Sequence, residues 1–111
     1  MIRLIWLALS LLIAMPLVAG EALPGERQQE LRNLLIQDCG SCHGLTMRGG
    51  LGPALLPEIL QGKSRDYLTT VILEGRPGTA MPGWRPLLSE DEARWMADRL
   101  LQGDLGQEGR Q

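Results

Sequence analysis

Cys39-Gly40-Ser41-Cys42-His43 is the stretch that decides how the 111-residue chain is read. Two cysteines separated by two residues, with a histidine directly after the second, form the attachment signature of a c-type haem. The thiols add to the two vinyl groups and the imidazole ligates the iron. One turn of backbone reaches both vinyls while the next side chain is held beneath the ring plane. Other uses of the same residues fit less well. A zinc site wants four ligands, yet the chain has two cysteines and one histidine in total. A thioredoxin-like redox pair sits at the head of a helix after a strand, and no strand pattern precedes Cys39.

Upstream of the motif, Glu26 to Gln37 runs without a helix breaker, and Leu31, Leu34, Leu35 and Asp38 fall on one i, i+3, i+4, i+7 face. The spacing predicts a first amphipathic helix that delivers the motif at its end. Farther back, Arg3 precedes an apolar run from Leu4 to Met15 broken only by Ser10, which is the plan of a secretory signal peptide. Residues 1–20 are read as that peptide, with cleavage after Gly20 or Ala22. A membrane anchor would need roughly 20 apolar residues, and Pro16 ends this run early. The mature protein is therefore expected in the periplasm and not spanning the membrane. About ninety residues remain, one domain whose core is marginal unless a large apolar group helps fill it.

Downstream, Met47-Arg48-Gly49-Gly50-Leu51-Gly52-Pro53 reads as an irregular loop. A ligating histidine donates its second ring N–H to a carbonyl or carboxylate, and Pro53 stands ten residues after His43; by spacing alone it is equally a simple loop proline. Pro57 to Leu60 is expected to make one short turn. Ser64 is the expected N-cap of a helix from Arg65 to Glu74, with Tyr67, Leu68, Val71 and Ile72 as its apolar stripe and Gly75 as its stop. Thr69 and Thr70 oppose that helix mildly, since β-branched side chains favour strands.

Gly75 to Trp84 is too rich in glycine and proline for helix or strand. It presents Met81 next to Pro82. With His43 the only histidine, a thioether is the remaining common sixth ligand for a low-spin haem iron, and it raises the reduction potential. Met47 stands four residues from His43, too close to reach the opposite face of the ring, and Met96 falls on a predicted helix, where it packs. Met81, about forty residues downstream of the motif, is the expected ligand. Ser89-Glu90-Asp91-Glu92 then forms a capping box for a helix to about Gln102. Its inner face is Ala93, Met96, Ala97 and Leu100, with Trp95 at an edge. Residues 23–103 are read as the domain and 104–111 as a flexible tail.

Charge adds little by its sum and more by its distribution. Without Arg3 there are ten Lys and Arg against thirteen Asp and Glu, a net charge of minus three. Residues 40–88 nevertheless carry plus two. Arg48, Lys63, Arg65, Arg76 and Arg85 could balance haem propionates, dock an acidic partner, or simply be solvated. No basic cluster is interleaved with aromatics, so nucleic acid is not expected as a partner.

The order of parts, namely a helix, Cys39-x-x-Cys42-His43, Gly52-Pro53, a helix near Asp66-Tyr67-Leu68, Met81-Pro82 and a capped terminal helix, resembles the small class I cytochromes c. Within them it is most similar to the periplasmic mono-haem cytochromes associated with the haem-cd nitrite reductase of denitrifying bacteria, on its short loops and its Ala80-Met81-Pro82-Gly83-Trp84 run. The resemblance implies an all-α cytochrome c fold with three to four helices around one covalently attached haem c. It implies crossing of the first and last helices and a Pro53 carbonyl that accepts from His43. Family members often carry an aromatic where this chain has Arg99, a role that would fall to Trp95.

The expected function is one-electron transfer by a monomeric protein that is not an enzyme, with a periplasmic redox partner such as nitrite reductase. Two other classes stay open: an accessory in maturation of that reductase's haem, and an open-site haem sensor. The third would need Met81 off the iron, and the chain has no distal histidine for chemistry there.

Overall fold

The computed structural model describes residues 22–105. The expected signal peptide and most of the expected tail lie outside the described residues. Helix α1, Gly25–Leu34, follows Pro24, whose carbonyl accepts the first bond, from Gln28 N–H at 2.9 Å. The backbone then widens into a π-helical turn, Leu35–Cys39, and tightens again into α2, Gly40–His43. Gly40 N–H bonds the Leu35 carbonyl five residues back. The helix is thus neither regular nor finished before Cys39, as the Glu26–Gln37 span had it; it carries the whole motif to His43.

The wide turn changes which residues face inward. Leu31 and Leu35 are fully buried. Asp38, seven residues after Leu31, would share their face in an unbroken α-helix, but it is exposed. One extra residue in a turn rotates everything after it, and here it turns the carboxylate outward while Gly40 becomes buried. Gly44, at φ 92°, ends α2 in a conformation few other residues adopt.

After the short α3, Pro57–Leu60, helix α4 spans Arg65–Glu74 with Ser64 Oγ accepting from Tyr67 N–H at 3.0 Å. Its buried face is Leu68, Thr69, Ile72 and Leu73, rotated by one position from the expected stripe. Thr69 can be buried because its hydroxyl donates to the Arg65 carbonyl at 2.8 Å, and Thr70 does likewise to Asp66 at 3.0 Å. Tyr67 stays outside, its ring beneath Lys63 Nζ at 5.6 Å.

Helix α5, Glu90–Gln102, has the full capping box: Ser89 Oγ accepts from Glu92 N–H at 3.1 Å and Glu92 accepts from Ser89 N–H at 2.9 Å. At its other end Gly103, at φ 71°, lets its own N–H reach the Leu100 carbonyl and that of Asp104 reach Arg99, a Schellman closure. Just beyond it Asp104 pairs with Arg99 at 3.0 Å and Leu105 is buried.

Helix α5 packs broadly on α4 and crosses α1 and α3. Ala93, Met96, Ala97 and Leu100 meet Leu31, Leu35, Ile72 and Leu73 in one core. Each fully buried leucine contributes about 1.5–3 kcal/mol. At the α1–α5 crossing, Arg32 and Arg99 lie 5.2 and 5.4 Å from the Trp95 ring centroid, and Asp104 bridges the same two guanidiniums. Trp95 with its two arginines therefore fills the crossing. Nearer the N-terminal ends, Arg27 joins Glu92 to Glu30.

Glu92 both closes the cap and pairs with Arg27, and these contacts hold its carboxyl below the ordinary carboxylate range. A depressed folded-state value means stability that is complete above the unfolded value and is lost as pH falls through the folded one. Glu92→Gln should therefore lower the urea midpoint at pH 7, and the gap to wild type should shrink as the pH is taken well below 4.5. A gap independent of pH would show that the charge on Glu92 does not carry the effect.

Candidate haem site

His43, the last residue of α2, directs its ring Nδ1 to the Pro53 carbonyl oxygen at 2.7 Å. With Nδ1 donating there, the tautomer is set and Nε2 keeps its lone pair for a metal. The intervening loop is folded back onto α2 by its own backbone. Gly49 N–H bonds the His43 carbonyl and Gly52 N–H the Cys42 carbonyl, both at 2.8 Å, and Leu55 N–H bonds Met47 O at 2.9 Å. A Cβ on Gly52 would stand 2.8 Å from His43 Nδ1 and Cε1. Glycine is required there because the imidazole lies directly on the main chain.

Met47 is buried at φ 60°, its side chain in the core, and Met96 is buried among the helices. Met81 is half-buried, on the 75–84 loop. That loop is sewn to the end of α4. Trp84 and Arg85 N–H bond the Ile72 and Leu73 carbonyls at 3.0 and 3.1 Å, and Arg76 N–H bonds Met81 O at 3.2 Å. Gly75, at φ 69°, and Gly83 make the closure possible: a Cβ on Gly75 would meet Met81 O and Gly83 N at 2.6 Å, and one on Gly83 would meet Leu73 O at 2.7 Å. Trp84 packs against the core. Arg85 adds a bond to Glu74, with Nε at 2.6 Å from Oε1, an exposed pair of small worth.

The two cysteines differ in setting. Cys39 packs against the core and Cys42 is exposed. Burial, with the Asp38 carboxylate adding to it, pushes the Cys39 thiol up to about 11. Among the described residues no group of three or more His, Cys, Asp or Glu is placed to hold a metal by itself.

These residues fit a haem c. Two free thiols stand one helical turn apart, followed by an imidazole whose second nitrogen is already bonded. Leu51 is 94% exposed, and Leu45, Ile59 and Leu87 are exposed as well, more bare apolar side chain than a small domain usually leaves to water. Two features of the site escaped sequence reasoning. The π-helical turn leaves no mark in apolar spacing, although Asp38 on an otherwise apolar face was a hint. The close approach of Gly75 to Gly83 was foreshadowed only by the glycine count of the loop.

Gly52→Ala should destabilise the protein by about 1–3 kcal/mol, through displacement of the His43 ring or of the loop. Gly25→Ala, where no atom lies within 4 Å of the new Cβ, should change stability by no more than about 0.5 kcal/mol. Urea unfolding of both variants beside wild type checks the contrast; equal midpoints would show that the ring does not need the bare backbone.

Comparison with known proteins places the chain. The family model described as "Cytochrome C oxidase, cbb3-type, subunit III" matches residues 26–98. The chain is 56% identical over 103 residues to Cytochrome c55X of Pseudomonas aeruginosa, covering 91% of this chain and 87% of that one. A solved structure of a "c-type cytochrome NirC" superposes with a TM-score of 0.73 at 57% identity, over 75% of this chain and 98% of that one. A larger relative, the Dihydro-heme d1 dehydrogenase of Pseudomonas aeruginosa, is 43% identical over 100 residues, which are 90% of this chain but 19% of that protein. With its helical fold, its Cys-x-x-Cys-His helix and these relatives, the chain belongs to the c-type cytochromes, in the family of the cbb3-type oxidase subunit III cytochrome domain.

Proposed function

We propose that the protein is a periplasmic one-electron carrier holding one haem c, attached through Cys39 and Cys42 and ligated by His43 and Met81. The observation that carries this is the 2.7 Å contact between His43 Nδ1 and the Pro53 carbonyl, which leaves Nε2 free as a ligand in a fixed orientation. The bound haem supplies the reversible ferric–ferrous couple. Every other requirement falls on the chain: hold both ligands still, exclude water from the iron, and leave one edge open to a partner.

The ligand loops suit that demand. Each is tied by backbone hydrogen bonds to a helix end, the 44–53 loop to α2 and the 75–84 loop to α4. Main-chain tethers of this kind keep the ligand geometry alike in both oxidation states, which keeps reorganisation small. Among the described residues no helix is long and apolar enough to cross a membrane, and a monomer is the proposed state. Nitrite reductase is the proposed recipient of the electron.

One observation favours a second reading. A domain much like this chain lies within a protein named as a dihydro-haem d1 dehydrogenase. A dehydrogenation releases two electrons and two protons. A mono-haem carrier takes one electron at a time, so two copies would be reduced per dihydro-haem oxidised, with the protons passing to solvent. In that reading the protein serves maturation of a reductase haem as an electron acceptor, again without chemistry of its own.

Optical spectra test the carrier. The holoprotein should ignore carbon monoxide when ferrous and show a far-red sulfur-to-iron band when ferric, whereas Met81→Ala should lose the band and bind the gas. Ready binding of carbon monoxide by wild type would move an open-site sensor to first place. Mixing the ferric holoprotein with a dihydro-haem d1 dehydrogenase and its substrate tests the second reading. Reduction of two haems per substrate is expected, and no reduction would remove it.

A further inference from the structure

Met47 stands out for its backbone. Among the described residues it is the one non-glycine with a positive φ, at 60°; Gly44, Gly49, Gly62, Gly75, Gly78 and Gly103 account for the others. An L residue in this left-handed region brings Cβ close to the following carbonyl oxygen, and a long apolar side chain, unlike that of Asn or Asp, makes no local hydrogen bond in return. Yet Met47 is 2% exposed and stands with Leu31, Leu35 and Met96 among the largest fully buried side chains. Burial thus offsets the strain: a turn with a glycine's conformation carries a core side chain instead.

The position is tied on three sides. Met47 N–H bonds the Gly44 carbonyl and Leu55 N–H bonds the Met47 carbonyl, both at 2.9 Å. The side chain belongs to the core that also holds Leu31 and Leu35, where an unbranched thioether adapts to the space left to it. Those two leucines lie on α1 and on the π-helical turn, upstream of His43 in the same run of helix. Ring and loop are therefore referred to one core, the ring through the helix and the loop through Met47.

Pro53 lies between two backbone ties. A proline has no N–H of its own, so the direction of its carbonyl is set by the residues on either side. On the near side Gly52 N–H bonds the Cys42 carbonyl at 2.8 Å, and on the far side Leu55 N–H bonds that of Met47. The first tie leads to α2 and the second, through Met47, to the core. Held between them, the Pro53 carbonyl oxygen stands 2.7 Å from His43 Nδ1. Without the second tie the carbonyl is fixed from one side only.

We infer that Met47 is a positioning residue for His43: its buried side chain fixes a left-handed turn and, through the bond from Leu55, keeps the Pro53 carbonyl on Nδ1. The inference rests on the proposed ligation of the haem iron by His43. It adds a direction to that reading. The hydrogen bond from Nδ1 raises the basicity of the imidazole, and a more basic ligand favours ferric iron. Met47 thereby holds the reduction potential below the value that a looser loop would give.

NMR and potentiometry of the holoprotein test it. Met47→Gly keeps the turn without strain and loses the side chain. In the ferrous state it should move the His43 Nδ1–H resonance upfield, as the hydrogen bond to Pro53 lengthens. It should also shift the equilibrium with a fixed redox mediator about twofold toward the ferrous form, roughly 18 mV at about 59 mV per tenfold for one electron. Met47→Leu keeps the buried volume and the backbone strain, and should leave both readings at their wild-type values. If Met47→Gly lowers the urea midpoint with resonance and potential unmoved, Met47 only fills the core and the inference fails. Should Met47→Gly not fold, hydrogen exchange of the wild type decides. His43 Nδ1–H and Leu55 N–H should exchange through one opening, their rates rising in step as sub-denaturing urea is added. Exchange of Nδ1–H while Leu55 N–H stays protected overturns the inference. Failure of the underlying ligation shows separately and in wild type alone, as His43 ring protons that lack the upfield displacement of an imidazole held over the haem plane.

Discussion

The bond from His43 to the Pro53 carbonyl asks for a chain that leaves α2, turns, and returns within ten residues to lie flat against the ring it left. Most of the local architecture follows from that demand. The return is secured by the carbonyls of Cys42 and His43, which α2 leaves unbonded at its end and which the loop's own N–H groups satisfy. It needs bare backbone where loop meets ring, at Gly52, and a left-handed residue where the helix stops, at Gly44. Upstream, the π-helical turn sets the rotation at which His43 emerges relative to Leu31 and Leu35 in the core. A change at any of these points is transmitted to the imidazole, because no slack side chain lies between.

The methionine side follows the same plan with different parts. There too a helix end supplies free carbonyls, those of Ile72 and Leu73, and the following loop returns to bond them. There too two glycines permit an approach that a methyl group would forbid. Helix α5 packs against α4 and crosses α1, its alanines allowing close contact. The two loops are thereby referred to one rigid frame. The proposed carrier needs little more than this: His43 and Met81 each on a loop tied by its backbone to a helix end.

Much of this was legible in the sequence. The Cys39-x-x-Cys42-His43 spacing points to the chemistry proposed for it, and the Ser89–Glu92 box and the Ser64 cap mark helix starts through donors that must find acceptors. All three long helical segments were visible in apolar spacing. The irregularities were not. A π-helical turn inserts one residue without altering composition, so the regular helix drawn through Asp38 failed there. The buried face of α4 was misplaced by one position because Thr69 looks polar until its hydroxyl is seen bonded within its own helix. Arg99 looked like a missing aromatic, yet its guanidinium lies with that of Arg32 against Trp95. Such contacts depend on partners far apart in the chain, which local pattern does not encode.

The way the body ends has a consequence for how it can be reused. Leu23 is held by the Gln28 side chain, which donates to its carbonyl at 2.8 Å. At the far end Gly103 abuts Pro57, Asp104 bridges Arg32 and Arg99, and Leu105 is buried. Both ends of the module are thus fastened by its own residues, and neither belongs to the loops that carry His43 or Met81. A polypeptide can be spliced on before residue 23 or after residue 105 without drawing on a single contact of the site. Self-sufficiency at both joints makes such a unit portable, able to exist alone or as a fifth of a larger chain, as in the dehydrogenase relative.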